Sequence, residues 1–149
     1  MKHIIITSWL LFFFNICTAQ KNIVPNPGFE DTLACPQFID QVNLAYPWYD
    51  PTGMTSDYWN ICNGSVPDNW TGYQNPHTGN AYCGFAISFQ GDTGIEYPIR
   101  EYISAPLSNL LIGGKTYFIG FYVSLSDYSL YGANNIGVYF SQNKIDSTS

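Results

Sequence analysis

Apolar and polar positions alternate most cleanly late in the chain. Over Thr116 to Leu125, Tyr117, Ile119, Phe121, Val123 and Leu125 share one face of an extended chain, and Thr116, Phe118, Gly120, Tyr122 and Ser124 share the other. This predicts a β-strand with the first set facing the core. Asn135 to Ser141 repeats the pattern with Ile136, Val138 and Phe140 inward, after a loop from Asp127 to Asn134. Gly113-Gly114 predicts a turn between the first strand and the apolar run Leu107 to Ile112. Weaker strands are expected at Ala81 to Phe89 and at Ile99 to Ser104.

Ahead of these strands, Ala45 to Gln74 is almost entirely turn formers and aromatics. Trp48, Tyr49, Tyr58, Trp59, Trp70 and Tyr73 are interleaved with Asp50-Pro51, Thr52-Gly53, Asn63-Gly64 and Pro67-Asp68. Proline and glycine interrupt it every few residues, so a long irregular excursion is expected there rather than sheet or helix throughout. At the other end, Lys2, the apolar stretch Ile4 to Ile16 and the small residues around Ala19 read as a secretory signal over residues 1–19. It is too short for a permanent membrane span. The remainder, 20–149, is the size of one domain.

Composition narrows the class. Aromatics make up 17% of the chain and charged residues only 11%, and no long segment has the Ala, Glu, Lys and Leu density of an exposed helix. An all-β sandwich is therefore expected. A formal net charge of −6 repels phosphate backbones and argues against binding nucleic acid or anionic membranes.

Beyond the signal stand Cys35, Cys62 and Cys83. An oxidising compartment favours a disulfide between Cys35 and Cys62, each in a turn-rich segment, ACPQ and NICNGS. It would close a loop of about 28 residues, worth roughly 3 to 4 kcal/mol in the chain-entropy picture. Cys83, in the small-residue strand AYCGFAIS, is expected to be a buried thiol.

Taken in order, NIVPNPGFED, ACPQ, YPWYDPTGMTSDYWNIC, VPDNWTGYQNPHTGNAYCGF, REYISAPL, GGKTYFIGFYVSLSD and YGANNIGVYFS resemble the N-terminal domain of exported proteins from type IX-secreting bacteria. In those proteins a jelly roll similar to galactose-binding-like carbohydrate-binding modules precedes an OmpA-like or sorting domain. The resemblance implies a jelly-roll β-sandwich, a place at the cell surface, outer membrane or outside the cell, and a C-terminal OmpA-like or sorting partner. Two departures stand out: Cys83, where alanine is usual, and the lack of the segment that closes the sandwich. With about five or six strands against the eight of a jelly roll, and the polar end KIDSTS, the domain is expected to be truncated at its C-terminus.

In modules of that architecture a pattern similar to NPGFE opens the first strand, and its glutamate helps bind a structural calcium ion. Glu30 matches that position. Pro25 and Pro27 would hold the chain extended, Gly28 would permit close backbone approach, and Phe29 would anchor the core. One carboxylate is not a cage, since calcium takes about six to eight oxygens, so the alternative is a solvated acid at a strand start.

Catalysis has little to build on. His77, in NPHTGN, is the one histidine beyond the signal, and Glu30-Asp31 would point to opposite faces of a strand. Asp92, Glu96 and Glu101 are scattered, and Gly113-Gly114-Lys115-Thr116 lacks the first glycine of a phosphate loop. Glycan binding fits better, because sugar rings stack on indole and phenol faces. Trp48, Tyr58, Trp59, Trp70, Tyr73 and Gln74 are the candidate ligand-binding residues, unless those aromatics form the excursion's own small core. The expected role is a non-catalytic carbohydrate-binding or adhesion module; the alternative is a structural domain of an OmpA-like envelope protein with no ligand of its own.

Overall fold

A computed structural model describes residues 21–87, 89–90, 96–97 and 100–146. The expected export signal at 1–19, Asp92, and Ile99 of a predicted strand lie outside them. Among the described residues, two 3₁₀ turns, Val42–Leu44 and Ile61–Asn63, accompany short strands. These are β1 (Asp57–Asn60), β2 (Asp68–Asn69), β3 (Gly72–Tyr73), β4 (Ala81–Gly84), β5 (Phe89–Gln90) and β6 (Glu96–Tyr97). They pair antiparallel as β1 with β4, β2 with β3 and β5 with β6. Among the described residues the fold is low in helix and its sheets are small, built from short antiparallel strands, and no described helix is long and apolar enough to cross a membrane.

The most buried strand, β1, lies inside the stretch expected to be irregular. All four of its residues, Asp-Tyr-Trp-Asn, are buried, so no alternation marks it in the sequence. Its polar ends are tolerated because they are bonded. Asn60 Nδ2 donates to the Tyr58 hydroxyl at 2.8 Å while its Oδ1 accepts from the Cys62 amide at 2.9 Å. Asp57 Oδ1 accepts from the Asp40 amide at 2.8 Å. At both ends of β1 the buried polar side chains are thus paired.

Around β1 sits a small core. Tyr58, 1% exposed, packs with Ala45 and Ala81, and Phe29, Leu44, Trp48 and Cys83 close over it. Asn26 ties the incoming chain to this core. Its Nδ2 donates to the carbonyls of Asp31 and Tyr46, at 2.9 Å each, and its Oδ1 accepts from the Asp31 amide at 3.0 Å. Asn26 and Phe29 both adopt left-handed backbone, φ 42° and 61°, which lets NPGFE turn tightly instead of running on as a strand. Gly28 is not the point of close approach: a Cβ there would meet Glu30 at an ordinary 3.5 Å. The Cys35–Cys62 disulfide is present, with Cα atoms 5.9 Å apart, and fastens the following segment to the turn after β1. Cys83 is half-buried as a residue, but burial and then the charge of Asp57 push its thiol well above the ordinary value.

The two clearest predicted strands form no ladder. Thr116 to Leu125 and Asn135 to Ser141 form no strand, and every residue of both is exposed, including Tyr117, Ile119, Phe121, Val123, Leu125, Ile136, Val138 and Phe140. The expectation that these faced the core is therefore wrong for this structure. A trace of the two-sidedness survives: Ile119 and Phe121 are about half exposed, whereas Phe118 and Tyr122 project almost fully. Alternation specifies which side chains share a face, but a strand also needs a partner edge, and no described segment supplies one. The expected turn at Gly113-Gly114 does form, with the Lys115 amide donating to the Ile112 carbonyl at 3.2 Å. Of the region Ile99 to Ser104, Ser104 makes a single antiparallel bridge to Tyr49.

Candidate functional site

Trp59 leaves β1 opposite Tyr82 of β4, with ring centroids 5.3 Å apart. It can lie flat across the sheet because Gly84 has no side chain: a Cβ there would fall 2.1 Å from the indole. Trp59 is 8% exposed and forms the floor of an open cleft of about 290 Å³. Gln37, Phe38, Ile39, Asn63, Asn69 and Trp70 line it.

Trp70 stands at the tip of the β2–β3 hairpin, 6.5 Å from Trp59 between centroids and 63% exposed. The hairpin is held by Asn69, whose Oδ1 accepts from the amide and hydroxyl of Thr71 at 2.9 and 2.7 Å. Such local Asx bonding fixes a turn without help from distant packing. Asn69 Nδ2 donates in turn to the Tyr82 hydroxyl at 2.6 Å, which joins the hairpin to β4. Gly72, at φ 124°, brings the backbone against Asp127, and the Tyr73 amide donates to Asp127 Oδ2 at 2.8 Å. Phe38 and Ile39, both exposed, form the facing wall.

The cleft's amides are largely committed within the chain. Asn63 Nδ2 donates to the Pro36 carbonyl at 2.7 Å and its Oδ1 accepts from Ser65, while Gln37 Nε2 bonds the carbonyls of Cys35 and Pro36. An arrangement of this kind can offer apolar faces with few free hydrogen-bonding groups.

The structure thus divides the expected ligand-binding residues. Trp59 and Trp70 come together. Tyr58 touches the same cleft but is buried, with its hydroxyl donating to the Phe29 carbonyl at 2.9 Å. Trp48 is a core residue: its Nε1 donates to the Asn26 carbonyl at 2.9 Å and its ring lies 5.0 Å from that of Phe29. Tyr73, 60% exposed, and Gln74, which donates to the Asn75 carbonyl, do not line the cleft. Phe38 and Ile39 went unread in the sequence, although an apolar pair in the short turn between Pro36 and Asp40 was the available signal.

The residues around Glu30 do not fit a calcium cage. Its Oε1 accepts from the amides of Asn80 and Ala81 at 2.8 and 3.1 Å, lying over Gly79, where a Cβ would clash at 2.3 Å. Among the described residues no group of three His, Cys, Asp or Glu side chains is arranged to hold a metal. Glu30 is an amide cap on the chain entering β4, neither a ligand set nor a merely solvated acid. His77 stacks on Tyr122, centroids 3.4 Å apart and rings 16° from parallel.

A second, acidic cleft of about 350 Å³ is lined by Asp40, Asn43, Tyr49, Asp50 and Met54. Behind it are two buried carboxylates, Asp57 (6% exposed) and Glu101 (7%). Glu101 accepts from the amide and hydroxyl of Thr55 through Oε1 and from the Ala86 amide at 2.6 Å through Oε2. Burial, with the charges of Glu101 and Asp40 adding to it, raises Asp57 to about 6 against the opposing bond from the Asp40 amide. Burial, then Asp50 and Glu101, raises Asp40 as well.

No protein-family model matches the chain, and no curated protein or solved structure matches it either.

Proposed function

We propose that the chain is a non-catalytic binding module of an exported protein, built on a jelly-roll, galactose-binding-like plan, which seats a sugar ring against Trp70 at the mouth of the Trp59 cleft. The observation that carries this reading is the pairing of an exposed indole with a buried one that braces it, on a hairpin fixed by Asn69. An exposed tryptophan offers the apolar face of a sugar a rigid stacking surface at little entropic cost. Because Asn63, Asn69 and Gln37 are already bonded internally, stacking would dominate over hydroxyl recognition, and affinity would be modest with broad choice among glycans. The cell surface or outer membrane as location, and an OmpA-like or sorting domain as C-terminal partner, belong to the same proposal. Calcium does not.

A second reading, a structural envelope domain without ligand, is favoured by the exposed apolar faces of 116–125 and 135–141, which suit cover by another surface. A glycan array read together with acrylamide quenching separates the two. Sugar binding that shields tryptophan emission supports the module; a folded chain that binds no glycan supports the structural domain.

A further inference from the structure

We propose that the contact between the Asp40 amide and the Asp57 carboxylate is a pH-sensitive latch on the wall of the Trp59 cleft, closed when Asp57 is ionised and loosened when it takes up a proton. Three observations place it there. Asp57 is the first residue of β1 and lies two positions before Trp59, the cleft floor. The Asp40 amide that it accepts, at 2.8 Å, ends the segment Gln37-Phe38-Ile39 that forms the facing wall. The wall is fixed at its start by the Cys35–Cys62 disulfide and the Asn63–Pro36 bond, internally by Gln41, whose Oε1 accepts from the amides of Gln37 and Phe38 at 2.7 and 2.8 Å, and beyond its end by the Val42 amide on the Ser56 carbonyl, which leaves Asp57 as the tie at the Ile39–Asp40 corner between those anchors.

The charged surroundings of Asp57 are one-sided. Asp40 faces it from the loop and Glu101 from the segment after β6, both disfavouring its charge, and Asp50 acts on Asp40 in the same sense. From β4, Cys83 feels the charge of Asp57. Lys144 stands over the ring of Tyr49, which lines the acidic cleft, at 4.8 Å. Among these groups the Asp40 amide is what favours the carboxylate form. Linkage makes that reciprocal: a bond that favours ionisation is itself weakened by protonation. A carboxylate accepts a charge-assisted bond about twice as strong as a neutral acid does. Glu101, by contrast, accepts from three donors of its own on Thr55 and Ala86, so the latch bond does not run through it. The latch is a property of the fold; only its consequence for sugar binding rests on the cleft being the binding site.

The test is an amide NMR titration of the ¹⁵N-labelled exported chain without any ligand. The Asp40 amide should titrate with a midpoint near 6, and its exchange, corrected for the intrinsic rate, should rise several-fold from pH 7 to pH 5. Asp57→Asn should abolish that midpoint. Asp40→Asn provides the second variant: it keeps the amide, suits the left-handed backbone at this position (φ 63°), and should move the midpoint down by removing one neighbouring charge. An Asp40 amide that is indifferent between pH 5 and 7, one that titrates unchanged in Asp57→Asn, or a midpoint unmoved in Asp40→Asn would each overturn the latch. None of these outcomes depends on whether a glycan binds.

Discussion

The indole of Trp48 donates to the main-chain carbonyl of Asn26 across 22 residues, at 2.9 Å. With the Asn26 side chain reaching back to Asp31 and Tyr46, the two residues lock the start of the folded chain onto the core. The two prolines and the glycine of NIVPNPGFED thus introduce a turn built around Asn26, with Phe29 inserted against Trp48.

Asn26→Ala should therefore destabilise the protein well beyond a surface change. It removes three side-chain hydrogen bonds and a residue suited to positive φ, a loss of about 2 to 3 kcal/mol. Trp48→Phe keeps most of the ring contact but orphans a carbonyl and should cost about 1 kcal/mol. Urea unfolding followed by circular dichroism measures both.

Glu30→Gln separates the amide cap from a calcium ligand. The cap accounts for a loss of about 1 kcal/mol that is the same with calcium or with a chelator, because the bonds from the Asn80 and Ala81 amides weaken from charge-assisted to neutral. A melting temperature that rises with calcium in the wild type and not in the variant would speak for the metal.

Gly84→Ala forces a methyl group into the Trp59 ring. Overpacking of this kind costs about 1 to 3 kcal/mol, and the displaced indole should shift tryptophan emission to the red. Gly113→Ala, where nothing lies within 4 Å of a Cβ, is the control and should leave emission unchanged.

Asp57 gives stability an unusual dependence on pH. Its folded value is raised to about 6 from 3.8, so the folded state holds the extra proton between those values. The stabilisation is complete below about 4, declines as pH rises, and is gone above about 6. Asp57→Asn should flatten this slope and make the protein more stable than wild type at pH 7.5. After discounting for solvent access the gain is about 1 to 2 kcal/mol. Thermal melts from pH 4 to 8 read the difference.

Local chemistry was legible in the sequence, and long-range pairing was not. The Cys35–Cys62 bond and the turn at Gly113-Gly114 follow from turn residues and redox logic, and the start of β4 from small-residue alternation. Strand β1 was hidden because burial on both faces erases period-two alternation, and Asp57 and Asn60 look like loop residues until their bonds are known. The reverse failure occurred over 116–125, where the alternation is clear but no described segment offers an edge to pair with it. At the site, composition identified aromatics but could not sort them. Trp48 and Trp70 are chemically identical, and only the Asn26 bond and the hairpin separate a core residue from an exposed one.

If Trp70 is the sugar platform, comparing Trp70→Ala with Tyr73→Ala on the same glycan array shows it most directly. Both side chains are exposed, so neither substitution should disturb the fold. Glycans bound by the wild type should lose about tenfold or more in affinity in Trp70→Ala, close to 1.4 kcal/mol, and be unaffected by Tyr73→Ala. Binding that survives Trp70→Ala intact, or a folded wild type that binds no glycan at all, would contradict it.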